Sequence, residues 1–347
     1  MKPAGQQVRF GAGFLGHLSS ANGPTQLRLA AQLCEAGGMD SFWVADQRWM
    51  RDVYVSLAYL ACHTRHVQLG LRVTDPYVRH PGLTAVAVAT LDEISGGRAI
   101  LGIGAGGSGF AQMGLAREKP AVAVYEAIEL IRLLWRGTED VDYQGQVVSW
   151  QRGKLEFPCR PDIPIVIAAR GPRLLEVAGE VADGAIVATG VTADGVAWAH
   201  DRVQAGERRA GRREGTVELL HMTYISIDAD AARARQAVKA GIVGAVAGSH
   251  PTYDFLRANG LEVPPTLYAY LDTGARDPQR IVQLIPDAMV EKLAIAGTAD
   301  ECTAQLRALI RTGIQHVLLA PIAVERGDEL KLLETFVTEC LPTLREA

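Results

Sequence analysis

Short apolar stretches alternate along the chain with longer segments whose apolar residues recur at helical spacing. The apolar stretches predict eight strands, at residues 8–14, 41–45, 67–73, 98–103, 163–168, 183–187, 217–227 and 315–320. The segments of helical spacing predict helices at 25–36, 53–62, 82–94, 120–134, 173–180, 230–246, 298–312 and 329–341. Short strands that are apolar on both faces are typical of parallel sheets covered by helices. Eight strand–helix units predict an α/β fold and favour a closed (β/α)₈ TIM barrel over an open, doubly wound sheet.

Two segments interrupt this alternation. Residues 140–157 predict a hairpin or an irregular excursion, and residues 251–286 predict an irregular insertion because they contain the pair Pro264-Pro265. A chain of 347 residues is long for one domain, but barrels of this class exceed about 250 residues when they carry insertions. We therefore expect one barrel domain over residues 1–347, with an insertion at about 247–290 near the mouth of the barrel.

Composition and charge exclude several classes of partner. Hydrophobic residues make up 48% of the chain, enough for a large core, and the formal net charge is −4. With that charge and only 6% aromatic residues, the chain lacks the basic, base-stacking surface of a nucleic-acid-binding protein. No apolar run is long enough to span a bilayer, and residues 1–16 lack the apolar core of a secretion signal. We expect a cytoplasmic protein that acts on a small molecule, without a nucleic-acid or membrane partner.

Cysteine and histidine spacing argues against a metal site. The five cysteines form no CxxC pair, and the eight histidines form no HxH or HExxH pattern. An odd number of scattered cysteines fits a reducing compartment better than a disulfide framework. The sequence also lacks a GxSxG elbow and a Walker loop, so serine hydrolase and P-loop chemistry have no support.

The candidate site is formed by the residues that follow the predicted strands, because the loops after the strands build the active site of a (β/α)₈ barrel. In chain order these residues are His17, Asp46, Gln47, Arg72, Val73, Thr74, Tyr77, His80, Gly104, Gly106, Gly107, Ala169, Arg170, Gly171, Pro172, Thr189 and Gly190. The glycines among them allow a ring or a phosphate to approach the backbone closely. Turns of this kind therefore suit the approach of a phosphate or a ring at the mouth of the barrel.

Three of these features have alternative interpretations. Gly171-Pro172 opens a predicted helix, which is typical of a phosphate site but also of a simple tight turn with a cap. Residues 102–107 match GxGxxG, yet that dinucleotide fingerprint opens a helix directly, and here the next helix begins only near Pro120. Asp46 is suited to accept a hydrogen bond from a cofactor ring, or to cap a helix, or to pair with Arg48 or Arg51.

Four segments of the chain together resemble one enzyme superfamily. They are FWVADQRWMRDVYVSLAYLA, GLRVTDPYVRHPGLTAVAVATLDEISGGRAILGIGAG, AARGPRLLEVAGEVADGAIV and AIAGTADECTAQLRALIRTGIQHVLLAP. The combination resembles the bacterial luciferase-like flavin and deazaflavin oxidoreductases, in particular the branch of methylenetetrahydromethanopterin reductases that use coenzyme F-420. The resemblance runs from the first strand to the eighth and is weakest over residues 216–286.

The resemblance implies where a cofactor binds. It places a non-proline cis peptide at Arg72-Val73, followed by Thr74, beneath the middle of the tricyclic ring, and it places Asp46 in contact with that ring. The loop 104–107 then flanks the reacting face, and Gln47, directly after Asp46, is also counted among the cofactor-binding residues. The phosphate-bearing tail is expected near Ala169, Arg170, Gly171 and Pro172, with Thr189 and Gly190 across from them. Four arginines suit the polyglutamate tail of F-420, namely Arg51, Arg72, Arg79 and Arg170. The resemblance also implies a homodimer through the helices after the second and third strands.

Three positions depart from the pattern of the relatives. Methylenetetrahydromethanopterin reductases carry Glu where Gly13 stands and Asp where Gly107 stands, and both carboxylates line the pterin site. The alcohol- and sugar-oxidising relatives carry a His, as general base, where Gln47 stands. An amide does not accept a proton at neutral pH. The departures therefore argue against a pterin substrate and against alcohol oxidation.

The sequence leads to one main functional hypothesis and two alternatives. The main one is an F-420-dependent reductase that transfers hydride to an activated C=C or C=N bond, with Tyr77, His80 or His17 as the source of the proton. One alternative is a luciferase-like monooxygenase that uses FMN and dioxygen. The other is a barrel that binds a deazaflavin without catalysis.

Overall fold

Eight parallel strands close the barrel. The computed structural model describes residues 7–14, 23–107, 109–137 and 139–346. The strands are β1 Arg9–Phe14, β2 Ser41–Val44, β3 Gln68–Leu71, β4 Ala99–Ile103, β5 Val141–Gln144, β6 Ser149–Gly153, β7 Ile165–Ala169, β8 Gly184–Val187, β9 Glu218–Ile227, β10 Ala294–Gly297 and β11 His316–Pro321. The barrel order is β1-β2-β3-β4-β7-β8-β9-β11, and β11 pairs back onto β1. The predicted (β/α)₈ TIM barrel is confirmed.

Helices cover the outside of this barrel. They are α1 Gly23–Ala36, α2 Val53–Ala61, α3 Pro81–Ser95, α4 Pro120–Arg136, α5 Pro172–Val181, α6 Ala193–Arg209, α7 Ala231–Ser249, α8 Asp254–Ala258, α9 Pro265–Asp272, α10 Pro278–Leu284, α11 Asp287–Leu293, α12 Ala299–Ile310, α13 Glu329–Thr335 and α14 Leu341–Arg345. A π-helical turn, Phe336–Cys340, joins the last two. The helix α6 was not predicted, because its sequence is mostly polar and its apolar stripe is thin.

The two faces of the strands bury different sets of residues. One face packs against the helices, and the other fills the lumen, because successive side chains of a strand point in opposite directions. The plug of the lumen consists of Trp43, Ile100, Val166, Ile186, Leu220 and Leu318. The mouth of the barrel lies above this plug, at the carboxyl ends of the strands, where the loops carry the candidate site.

The insertion is helical, which corrects the prediction of an irregular segment over 251–286. It contains α8, α9, α10 and α11, and β10 after them pairs in parallel with the end of β9. The prolines misled the prediction because they begin helices here: Pro265 and Pro278 occupy first-turn positions, which require no backbone N–H. The apolar residues of these helices bury a second core against α7. The excursion over 140–157 contains the antiparallel hairpin β5–β6, as predicted.

Candidate active site

A cis peptide bond follows β3 at the mouth of the barrel. It joins Arg72 and Val73, at the position that the resemblance implied. Thr74 then pairs with Ile103 of β4, its N–H donates to the carbonyl oxygen of Gly102 at 3.0 Å, and its own carbonyl accepts from the N–H of Gly104 at 2.9 Å. The bulge at the end of β3 is therefore held by backbone hydrogen bonds to β4.

Glycine is required beside this bulge because β4 lies so close to it. A Cβ at Gly102 would overlap the carbonyl oxygen of Leu71, and a Cβ at Gly104 would lie 2.9 Å from Cγ2 of Val73. Gly106, with φ +64°, also lacks room for a side chain beside Phe110. The glycines after β4 thus shape the mouth, and they do not open a helix, since α4 begins only at Pro120. This geometry disagrees with the dinucleotide fingerprint.

An ion-pair triad lies beside the bulge. Arg48 Nη1 is 2.7 Å from Asp46 Oδ1, and its Nη2 pairs with Asp75 Oδ2. Asp75 is buried and also accepts hydrogen bonds from the backbone N–H groups of Tyr77 and Val78, each at 2.9 Å. Among the alternatives for Asp46, the structure contains the pairing with Arg48. Burial raises the pKa of Asp46, although the charge of Arg48 and a hydrogen bond from Thr74 oppose this effect.

The residues proposed as proton donors have structural partners. The hydroxyl of Tyr77 donates to the carbonyl oxygen of Glu118 at 2.7 Å. His80 is the N-cap of α3: Nδ1 accepts from the N–H of Gly82 at 3.1 Å, and Nε2 lies 3.0 Å from the carbonyl oxygen of Ser149. Both ring nitrogens of His80 are thus engaged with backbone groups. His17 lies outside the described residues.

The N-terminus of α5 is open at the mouth. Gly171 is its N-cap, with no side-chain cap, and Pro172 occupies the first turn. A Cβ at Gly171 would meet no atom within 4 Å. Ala169 ends β7, and Arg170 reaches Ser249 at the end of α7, with Nε 3.4 Å from Oγ. The first N–H groups of a helix have no intrahelical partner, so this end is suited to bind an anion.

Asn259, in the insertion, holds the loop after β8. Its Nδ2 donates to the carbonyl oxygen of Thr189 at 2.6 Å, and its Oδ1 accepts from the hydroxyl of Thr192 at 2.6 Å. Gly190, with φ +103°, packs so tightly that a Cβ there would lie 2.5 Å from Asn259 Oδ1. Sequence reasoning missed Asn259 because it lies in the segment expected to be irregular. The insertion therefore positions the loop of Thr189 and Gly190.

The four arginines suggested for the polyglutamate tail have different surroundings. Arg72 extends into the lumen, where Nη1 lies 3.6 Å from Sδ of Met222. Arg170 follows β7, and its side chain reaches Ser249 at the end of α7. Arg79 packs over the ring of Tyr54, 4.8 Å from its centroid. Arg51 lies against Gly23 at the start of α1. Gln47 is partly buried beside Asp46, and its carbonyl oxygen accepts from Met50.

Within the residues that the structure describes, no group of three or more His, Cys, Asp or Glu side chains is arranged to hold a metal ion. None of the described helices combines the length and the apolar character that crossing a bilayer requires.

Comparison with known proteins decides the family. The model of the family described as luciferase-like monooxygenase matches residues 9–316. The chain belongs to the luciferase-like monooxygenase family. This agrees with the resemblance found in the four sequence segments and with the closed parallel barrel.

Several members of the luciferase-like family are similar over nearly the whole chain. The 5,10-methylenetetrahydromethanopterin reductase of Methanolobus tindarius is 34% identical over 87% of this chain and 92% of that protein. The F-420-dependent glucose-6-phosphate dehydrogenase of Nakamurella multipartita is 30% identical over 95% of this chain and 96% of that protein. Among solved structures, the coenzyme F-420-dependent tetrahydromethanopterin reductase of Methanopyrus kandleri has a TM-score of 0.82 and 28% identity, over 97% of this chain and 99% of that chain.

Proposed function

We propose that this protein is a coenzyme F-420-dependent oxidoreductase, and that it acts as a reductase on an activated C=C or C=N bond of a small organic substrate. The observation that carries the assignment is the similarity to the Methanopyrus kandleri reductase, which is itself F-420-dependent and aligns over 97% of this chain. The glucose-6-phosphate dehydrogenase of Nakamurella multipartita adds a second F-420-dependent relative of nearly full length.

The mouth of the barrel fits a flat tricyclic ring. Gly106 and Gly107 expose backbone on one side, and Val73, after the cis peptide, packs on the plug of the lumen. Val73 would support the middle of the ring, and Asp46 would contact its edge. When bound, the reduced deazaflavin supplies a hydride, and the protein supplies position and electrostatics.

The outer part of the mouth fits the phosphate of the tail. Gly171 leaves the N-terminus of α5 open, so a phosphate can reach the free N–H groups there. Thr189 and Gly190 lie on the loop after β8, the strand that pairs with β7, and Asn259 holds that loop. We infer that these two loops hold the phosphate between them.

The side chains of the mouth favour reduction. Gln47 cannot act as the general base that oxidation of an alcohol requires. Gly13 and Gly107 bring no carboxylate, which argues against a pterin substrate. Because Tyr77 and His80 are bound to backbone carbonyls, we assign the proton that accompanies the hydride to His17 or to water.

A charge reversal at the N-terminus of α5 tests the cofactor assignment. We expect Gly171→Asp to weaken F-420 binding at least about 10-fold, because a carboxylate at this N-cap repels the phosphate. Asp is also a good N-cap, and a Cβ fits at this position, so the protein is expected to remain folded. The matched control is Gly171→Ser, which caps the helix without a charge. Binding is measured by quenching of F-420 fluorescence.

The same titration separates the alternatives. Binding of F-420 by the unaltered protein, with much weaker binding of FMN, supports the reductase. Binding of FMN without F-420 would instead identify a flavin monooxygenase. Equal F-420 affinity of Gly171→Asp and Gly171→Ser would show that the phosphate does not bind at α5.

We further propose that the protein forms a homodimer through α2 and α3 and resides in the cytoplasm. Large apolar side chains are exposed on these two adjacent helices, among them Val55 at 71%, Leu83 at 52% and Ile94 at 49%. Leu83, Val86 and Ile94 lie on one face of α3, since their spacing follows the helical repeat. An exposed apolar patch of this kind is typical of an interface between subunits. The cytoplasmic location rests on the scattered, unpaired cysteines.

We expect Leu83→Glu to convert the dimer into a monomer of 37.2 kDa. In a two-fold interface each substitution occurs twice, so two charges are buried without partners. Multi-angle light scattering after gel filtration measures the mass. Leu133→Glu is the control, because Leu133 is 42% exposed on α4, outside the proposed interface. A monomeric unaltered protein, or a dimeric Leu83→Glu variant, would contradict this interface.

A further inference from the structure

The side chain of Arg72 crosses the lumen of the barrel. It starts at the end of β3, and its Nη1 lies 3.6 Å from Sδ of Met222 on β9, a strand that does not neighbour β3 in the sheet. Its guanidinium also lies against Gly13 of β1, where a Cβ would be 2.6 Å from Nη1. Glycine at position 13 is therefore matched to the arginine, and the guanidinium forms part of the floor of the mouth.

In the part of the chain that the structure describes, this guanidinium has no carboxylate partner. Among the described residues, its hydrogen-bond partner is the thioether of Met222, a weak acceptor. The undescribed residues 1–6 and 15–22 contain no Asp or Glu. Burial lowers the pKa of Arg72 to about 10, so the side chain still carries its charge at neutral pH. A partly buried charge without a partner destabilises a protein, and its presence in a pocket therefore requires another explanation.

We propose that Arg72 binds a carboxylate of the substrate. The inference rests on the proposed function, because it takes the mouth of the barrel as the substrate pocket. A guanidinium presents N–H groups in a plane that matches the two oxygens of a carboxylate. The phosphate of the cofactor is assigned to α5, which follows β7 on the opposite side of β4 from β3. Because Arg72 lies at the floor of the mouth, away from the proposed phosphate site, its guanidinium is available to bind the substrate.

A carboxylate fits this floor better than a phosphate group does. Phosphate sites usually combine several donors, such as a helix N-terminus with basic side chains. The neighbours of the guanidinium here are Gly13 and Met222, which add no such donor at their side chains, and Tyr224, whose hydroxyl is a single neutral donor. One planar cation in an otherwise uncharged part of the lumen is suited to one planar anion.

Binding of matched acids and amides tests the proposal. The probes are crotonate and cinnamate, each compared with its primary amide, which has the same shape without the charge. Isothermal titration calorimetry is performed on the protein with and without F-420, and inorganic phosphate is titrated as a third probe. We expect at least one acid to bind about 10-fold or more tightly than its amide, and this preference to disappear in Arg72→Met. Arg72→Lys, which keeps the charge but not the planar fork, is expected to retain part of the preference.

Thermal unfolding of the variants distinguishes a binding role from a structural one. Removing an unpaired, partly buried charge is expected to raise the Tm of Arg72→Met by about 2 °C, whereas loss of a structural contact would lower it. The proposal is overturned if no acid is preferred over its amide, if Arg72→Met retains the preference, or if phosphate binds more tightly than both acids. Failure of the unaltered protein to bind F-420 would refute the proposed cofactor alone, because the acid–amide comparison is also made without it.

Discussion

Gly206→Ala is expected to destabilise the protein by about 4 kcal/mol, at the upper end of the effects of single substitutions. The helices α5 and α6 touch through their backbones at this point. A Cβ at Gly206 would overlap the carbonyl oxygen of Glu176, and a Cβ at Gly179 would overlap that of Val203. Because backbone cannot move aside as a side chain does, the two helices must separate, and this loses packing along both.

The matched control for this prediction is Gly244→Ala in α7. A Cβ at Gly244 would meet no atom within 4 Å, and alanine is favoured over glycine inside a helix. We expect this variant to be more stable than the unaltered protein by about 0.5–1 kcal/mol. Urea-induced unfolding measures both. Equal stability of the two variants would show that α5 and α6 can separate at little cost.

Gly206→Ala is also expected to weaken binding of the cofactor. The N-terminus of α5 and the loop that leads into α6 form the proposed phosphate site, so a shift between the two helices moves one side of that site against the other. We therefore expect Gly206→Ala to bind F-420 more weakly, whereas Gly244→Ala should bind it as the unaltered protein does.

Arg48→Met is expected to cost about 3–5 kcal/mol, the range found when one partner of a buried ion pair is removed. The substitution leaves Asp46 and Asp75 facing each other without the guanidinium between them. Asp75 is 3% exposed and has little access to water. The double variant Arg48→Met/Asp46→Asn, which removes one of the two charges, should recover part of the loss.

The pH dependence of this loss has a definite sign. Burial already raises the pKa of Asp46, and loss of Arg48 raises it further. A carboxyl group whose pKa is raised by folding destabilises the protein most when ionised, and this penalty disappears as the pH falls through its folded pKa. The difference in stability between Arg48→Met and the unaltered protein should therefore narrow as the pH falls through the raised pKa of Asp46. A difference in stability that grows as the pH falls would contradict the proposed role of the ion-pair triad.

Much of the fold follows from local sequence patterns. The alternation of short apolar stretches and helical segments predicted the eight barrel strands, since strand and helix periodicities are local properties. The insertion was predicted wrongly because proline has two meanings in a sequence. It breaks a helix or strand when it lies inside one, but it is well tolerated in the first turn of a helix. Pro265 and Pro278 occupy such first turns.

The candidate site was predicted less completely. Asp46 and the glycines after β4 were expected at the mouth because each follows a strand, and the cis peptide at Arg72-Val73 was implied by the family resemblance. It did not predict Asp75 as the second partner of Arg48, the cap formed by His80, or the role of Asn259. Asp75 and Asn259 contact residues that are 27 and 70 positions away, Arg48 and Thr189. The cap is local, but histidine is not among the residues that usually cap a helix.

The sequence by itself thus determined the barrel, the order of its eight strands and the family to which the chain belongs. Periodicity, turn residues and family motifs are all encoded over a few to a few dozen residues. Only the tertiary structure decided which charges are paired and which are not. Closure of the barrel brings β3, β9 and β1 around one lumen, so that Arg48 meets two carboxylates while Arg72 meets Gly13 and Met222. Whether two charges pair depends on the distance between them in the closed barrel, and their separation along the sequence does not specify that distance.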